Sequence, residues 1–122
     1  MSLKLIRIYE CLCDETRLRI IHLLHVTPLC VSHLQKILRL PQVRISKHLT
    51  YLKDRHMVEA TRCENYMLYA LSQESSSELD SNLKCLQDCV QEYSVFKNDR
   101  ARLKTILPEI AGILNKIQQV GK

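Results

Sequence analysis

Two glycines, three prolines, one phenylalanine and no tryptophan occur in 122 residues, and each shortage removes a class of protein. Glycine supplies the positive φ of tight turns and the close backbone approach that phosphate-binding loops require. Both glycines, Gly112 and Gly121, lie near the carboxyl end. Neither a dinucleotide fingerprint nor a P-loop can therefore be written in this chain. A strand-rich sandwich with many turns is excluded on the same ground, and a mostly helical domain is expected. No stretch approaches the roughly 18 uninterrupted apolar residues of a membrane span. Met1 to Tyr9 reads charged-apolar-charged and lacks the apolar region and cleavage site of a signal peptide. One soluble, cytoplasmic domain over 1–122 is the expectation, with no membrane partner.

What is present is ordinary for a globular protein: 46% apolar and 25% charged residues, enough to bury a workable core. Six cysteines, at 11, 13, 30, 63, 85 and 89, are abundant without being a disulfide framework, because nothing signals secretion. A buried free cysteine is commonly just a small hydrophobe. Six of them, some closely spaced, leave room for a metal or redox role.

Leu5, Ile8 or Tyr9, and Leu12 recur at three-to-four spacing and predict a short helix over 3–12. Asp14 reads as the N-cap of a second helix through Leu18, Ile21 and Leu24, which Thr27-Pro28 ends. A third helix is expected over 31–38, capped near Ser32, and Arg39-Leu40-Pro41 punctuates it. Pro41 suits the first turn of a fourth helix over about 42–56, with Val43 or Ile45, Leu49 and Leu52 on its apolar side. Over 58–71 the period switches to two on either side of Glu64-Asn65, which predicts a two-stranded hairpin. After a polar linker at 72–77, Leu79, Leu83, Leu86, Val90 and Tyr93 form a narrow heptad stripe typical of helix-on-helix packing. A last amphipathic helix spans Leu103 to Ile117, with Pro108 tolerable as a kink or a break. The two closing stripes, so late in a small domain, favour a dimer interface.

The formal charge of +5 is unevenly spread. Residues 36–62 hold seven basic groups against Asp54 and Glu59, whereas 74–92 holds five acids against Lys84. Clustered cations that displace counterions from phosphates drive nucleic-acid binding. Two short helices joined by a tight turn fit a helix-turn-helix, whose second helix enters the major groove amino end first. There Gln42 can pair with adenine and Arg44 with guanine, while Ser46, Lys47 and His48 can reach phosphates or base edges. The hairpin behind becomes a wing, with Arg62 near its tip for the DNA backbone.

Four blocks carry a family likeness: Asp14 to Ile20, Leu29-Cys30-Val31, Gln42 to Leu49, and Tyr66 to Leu71. In this order they resemble the arsenical-resistance repressor (ArsR/SmtB) family, and the likeness covers roughly 3–96. The resemblance implies a mainly α winged helix-turn-helix repressor of double-stranded operator DNA that a metal or metalloid releases. It further implies a homodimer formed through the first helix (3–12) and the helices after the wing (77–120). The family's recognition-helix positions fall on Gln42, Arg44, Ser46, Lys47 and His48.

Soft thiolates select arsenite, antimonite or a thiophilic divalent cation over hard ions, so DNA binding needs no cofactor and the inducer is the ligand. Arsenic-sensing members of the family often carry Cys-Val-Cys before the recognition helix. Here the matching residues are Cys30-Val31-Ser32, one thiol short. Cys85 and Cys89, at i and i+4, share one helix face and are the first candidates, with Cys30 as a third ligand. Cys11 and Cys13 follow, since i and i+2 diverge unless the helix ends near Leu12; Cys63 in the wing reads as a bystander. The family's Asp/His zinc site finds no match, because 78–96 holds no histidine. A thiol-based redox repressor on the same fold is the alternative. An enzyme is not expected: no spacing offers a Cys–His pair with an orienting acid.

Overall fold

The structure is a computed structural model that describes residues 4–72, 77–90 and 92–120. Leu3, most of the linker expected over 72–77, and the side chains of Leu86, Cys89, Val90 and Ile117 lie outside the described residues.

The first helix, α1 (Lys4–Leu12), stops where Asp14 opens α2 (Glu15–Val26). The Asp14 carboxylate accepts the Arg17 N–H at 3.0 Å, satisfying one orphan donor of the helix start. Arg17 reaches back in turn, and its guanidinium donates to the carbonyls of Cys11 and Glu10 at the end of α1. α2 is the central helix: Ile20, Ile21, Leu23 and Leu24 are all buried, because α1, α4, α6 and β3 surround it.

After Thr27-Pro28 comes a two-residue strand, β1 (Leu29–Cys30), then α3 (Val31–Leu38) and α4 (Gln42–Asp54). The N-cap of α3 is Cys30 rather than Ser32, and the Cys30 N–H donates to His33 Nδ1 at 3.2 Å. α4 ends two residues short of the expected 56, where His56 takes a positive φ of 61°. The wing strands β2 (Val58–Cys63) and β3 (Tyr66–Leu71) pair antiparallel with Cys63 opposite Tyr66, in the expected register. The hairpin is not alone, since β1 adds to β3 and the sheet order is β1-β3-β2.

Beyond the wing, α5 (Ser77–Val90) and α6 (Ser94–Val120) follow, and α6 runs through Pro108 as one helix. Tyr93, the last residue of the heptad stripe, falls between them and is exposed. Leu79 and Leu83 are buried in the chain's own core together with Ile8 and Cys11 of α1. That core also takes Leu34 and Ile37 from α3, Ile45, Leu49 and Leu52 from α4, and Leu103 and Ile110 from α6. Each such side chain contributes about 1.5–3 kcal/mol of burial, which makes α6 part of the domain rather than an appendage. Among the described residues, no helix is long and apolar enough to cross a membrane.

Candidate nucleic-acid interface

α4 has three distinct sides. Ile45, Leu49 and Leu52 face the core. Gln42, Val43, Ser46, Lys47 and Thr50 line an open hollow of about 420 Å³ on the outer side. Periodicity left Val43 and Ile45 as alternatives for the core. The structure buries Ile45 completely and leaves Val43 74% exposed, so Val43 joins the outward face.

The third side is a flank turned toward the α1–α2 junction. His48 Nδ1 lies 3.9 Å from Asp14 Oδ2. Burial works to raise the Asp14 carboxyl, but the Arg17 N–H bond and the nearby His48 and Arg17 charges outweigh it and hold the group below its ordinary value. Arg55 lies 3.3 Å and Arg17 4.0 Å from the centre of the Tyr51 ring, a cation–π arrangement. Arg55 also faces Glu10 at 3.7 Å. Neither His48 nor Arg55 therefore belongs to the outward face, although both stand in the basic stretch of the sequence. Lys36 is likewise opposite Glu109, at 3.6 Å. Lys36, Arg39, Arg44, Lys47, Lys53 and Arg62 are the basic members of that stretch that stand exposed, Lys36 beside Glu109. Arg44 is exposed one turn before His48, and Arg62 lies on β2 one residue before the final pair of the hairpin.

An exposed helix face with amide, hydroxyl and ammonium groups about a valine has the donors and acceptors that major-groove base edges match. Val43 and Thr50 were not singled out from the sequence as part of this face. The signal for Thr50 was available, since it follows Val43 and Ser46 at helical spacing.

The thiols are scattered by comparison. Cys11 and Cys30 are buried, Cys63 is half-buried, and Cys13 and Cys85 are exposed, all as free cysteines. Burial pushes the Cys11 thiol up against the opposing pull of Arg55 and Arg17, and burial with the neighbouring Cys63 and Glu109 pushes Cys30 up. Both are thus poorer thiolate donors than an exposed cysteine. α1 does end at Leu12, yet Cys11 is buried while Cys13 is exposed, so the two do not share a surface. Cys85 is on α5; the side chain of Cys89 lies outside the described residues. Among the described residues, no three Cys, His, Asp or Glu side chains gather at metal-binding distance, and Cys30 does not join Cys85 in such a cluster.

The sequence model for bacterial regulatory proteins of the arsR family matches residues 14–60, which span α2 to the first residues of β2. The chain is 33% identical over 87 residues to the arsenic resistance transcriptional regulator ArsR1 of Pseudomonas putida, covering 70% of this chain and 68% of that protein. Among solved structures it is similar to HlyU of Vibrio cholerae, at 26% identity and a TM-score of 0.63, over 75% of this chain and 92% of that one. It is also similar to the antimony-specific transcriptional repressor AntR, at 26% identity and a TM-score of 0.60, over 73% of this chain and 78% of that one.

Proposed function

The chain belongs to the arsR family of bacterial regulatory proteins, which are winged helix-turn-helix regulators of transcription and not enzymes, and on that premise we propose that it is a homodimeric repressor, working in the cytoplasm, that a thiophilic metalloid releases from operator DNA. The outward side of α4 reads bases through Gln42, Ser46 and Lys47, with Arg44 at its edge and Val43 and Thr50 filling the hollow between them. His48 stands behind this face and steadies it through Asp14. Arg62 on the wing contacts the DNA backbone. The observation that carries the reading is that outward face: five neighbouring side chains of one helix are withheld from the core and lie beside a helix-turn-helix turn.

The dimer forms through α1 and the α5–α6 junction. Leu5, Ile6 and Tyr9 on α1 and Tyr93 between α5 and α6 are large apolar side chains left between 40% and 61% exposed. Tyr9 Oη donates to Asn82 Oδ1 at 3.0 Å, so α1 and α5 already form one surface.

The inducer is arsenite or antimonite, or failing these a soft divalent ion, taken by Cys85 with Cys89 one turn further along α5. Cys30 remains the third candidate, with Cys11 and Cys13 behind it. The ArsR1 and AntR likenesses support a metalloid.

The test is a duplex selected by the protein from a random-sequence DNA library, followed by titration with arsenite, antimonite, cadmium and zinc under full thiol reduction. Retention of the duplex and release by arsenite or antimonite is the expected result. Failure to select any duplex overturns the DNA reading, and retention without release by any of the four overturns the inducer. Release that occurs only after an oxidant, and is reversed by a reductant, establishes the redox repressor in its place.

A further inference from the structure

Only Arg39-Leu40-Pro41 separates α3 from α4, so the direction in which α3 ends sets the direction in which α4 begins. A helix end leaves its last carbonyls without intrahelical partners. Here Arg39, in the left-handed conformation at φ 57°, donates its N–H to Gln35 O at 2.9 Å. The next carbonyls are met from outside the motif. Arg102 of α6 donates from Nη1 to Ile37 O at 2.7 Å, and Arg19 of α2 donates from Nη2 to Leu38 O at 3.4 Å.

Both arginines are held by one carboxylate. Asp99 of α6 accepts Arg19 Nε and Nη2 at 2.8 Å each, and its Oδ1 lies 3.7 Å from Arg102 Nη1. Asp99 is fully buried. Farther along α6, Glu109 faces both Lys36 and His33 of α3. A buried ion pair is a poor source of stability, since desolvation consumes most of the attraction. Its distinguishing property is geometry, because a bidentate Arg–carboxylate pair permits one relative orientation. Apolar side chains would hold α6 against α2 as well. Only donors of fixed direction anchor the final carbonyls of α3.

We propose that Asp99 and Arg102 are positioning residues for operator binding, through which α6 sets the angle at which α4 is presented to DNA. This rests on the reading of α4 as the helix that contacts bases. Asp99 and Arg102 lie outside residues 14–60, the stretch that the family model matches. They make the last helix a working part of the reading head, and they give any displacement of α6 a direct route to the turn before α4.

The experiment compares wild type, Arg102→Ala, Arg102→Lys and Asp99→Asn. It measures affinity for the selected duplex and for a random-sequence duplex at one salt concentration, and the urea unfolding midpoint of each protein. The Arg102 side chain is 29% exposed against 1% for Asp99, so its replacement is the milder of the two changes and the unfolding midpoint separates folding from binding. Arg102→Ala is expected to lose about tenfold on the selected duplex, the scale of one base contact, while keeping random-duplex affinity within about twofold. Arg102→Lys restores most of that preference, because an ammonium can still donate to Ile37 O. Asp99→Asn, with both guanidinium groups loosened, lowers the preference in the same direction. A preference unchanged in Arg102→Ala, or one that falls only in step with the unfolding midpoint, overturns the inference alone. A wild-type protein that prefers no duplex overturns the DNA reading and this inference with it.

Discussion

His48 Nδ1 stands 3.9 Å from Asp14 Oδ2, joining the helix that carries Gln42 and Lys47 to the N-cap of α2. In the sequence His48 sits in the middle of the block that resembles a recognition helix. In the fold its side chain is only 19% exposed and is turned toward its own domain. An ion pair of this kind contributes little, about 0.2–1 kcal/mol. His48→Ala is therefore expected to weaken duplex binding by no more than about fivefold. Lys47→Ala, on the outward face, removes a phosphate or base-edge contact and reduces the salt slope by about one. Gel-shift titrations at several salt concentrations check the pair. Equal losses in the two variants would place His48 in the groove after all.

The thiols differ in reactivity in a direction that burial fixes. Three proteins that each keep one of Cys11, Cys13 and Cys30, with the other five cysteines replaced by serine, isolate the effect. Cys13 is exposed, whereas Cys11 and Cys30 are buried with their thiols pushed up. A disulfide-exchange reagent at pH 7.5 is expected to modify Cys13 at least about tenfold faster than either buried thiol, since only an accessible thiolate reacts. Stopped-flow absorbance measures the three rates. Fast modification of Cys30 would show that β1 opens readily and that burial does not hold this thiol back.

Periodicity carried the reading as far as it did because α3 and α4 each bury one side of the helix only. Its misses have physical causes. β1 is two residues long, too short for any period, and exists because Leu29 and Cys30 add to the edge of β3. Val43 and Ile45 both suit an apolar side by spacing; which one turns inward depends on where α2 and α3 stand. Lys97-Asn98-Asp99-Arg100 is a polar run outside both apolar stripes, yet Phe96, Asp99 and Leu103 within and around it are buried anchors of α6. A buried carboxylate cannot be told from a surface one until Arg19 is seen beside it. The stripe at Leu79 and Leu83 was correctly apolar, but what it meets includes α1 of the same chain. The helix proposed to read DNA is thus legible as an element, and the parts that hold it in place are not, because they lie far apart in sequence.

Stability is expected to fall in mild acid through His22. This ring is buried, stands edge-on to Phe96, and its Nε2 lies 3.3 Å from Arg100 Nη2. Burial lowers its pKa below the ordinary 6.5, and the Arg100 and His25 charges lower it further against the opposing pull of Asp99. The folded state thus favours the neutral ring, and the unfolded chain binds the proton first. The stabilisation is present in full above pH 6.5 and is lost as the pH falls from there through the folded value. His33, also lowered chiefly by burial, acts with the same sign. His22→Gln keeps an acceptor for Arg100 and does not titrate, so its urea midpoint should fall less between pH 7.5 and 5 than that of wild type. An identical slope in the two proteins would remove His22 from the account.

Val43 has the most specific expectation attached to it. A valine 74% exposed at the amino end of α4, in a hollow with Gln42, Ser46, Lys47 and Thr50, has two methyl groups and no polar atom to offer a base. The one apolar feature of the major groove is the C5-methyl group of thymine. Replacing thymines of the selected duplex by uracil, one at a time, removes that methyl and nothing else. At one position the replacement is expected to cost wild type about fourfold in affinity, the equivalent of roughly 0.8 kcal/mol for one buried carbon. Val43→Ala should lose a similar amount on the thymine duplex and then show no further loss on the uracil duplex. That non-additivity is the mark of two groups in contact. If the two losses instead add in full, valine and methyl do not meet, and the outward face of α4 reads its operator through polar groups alone.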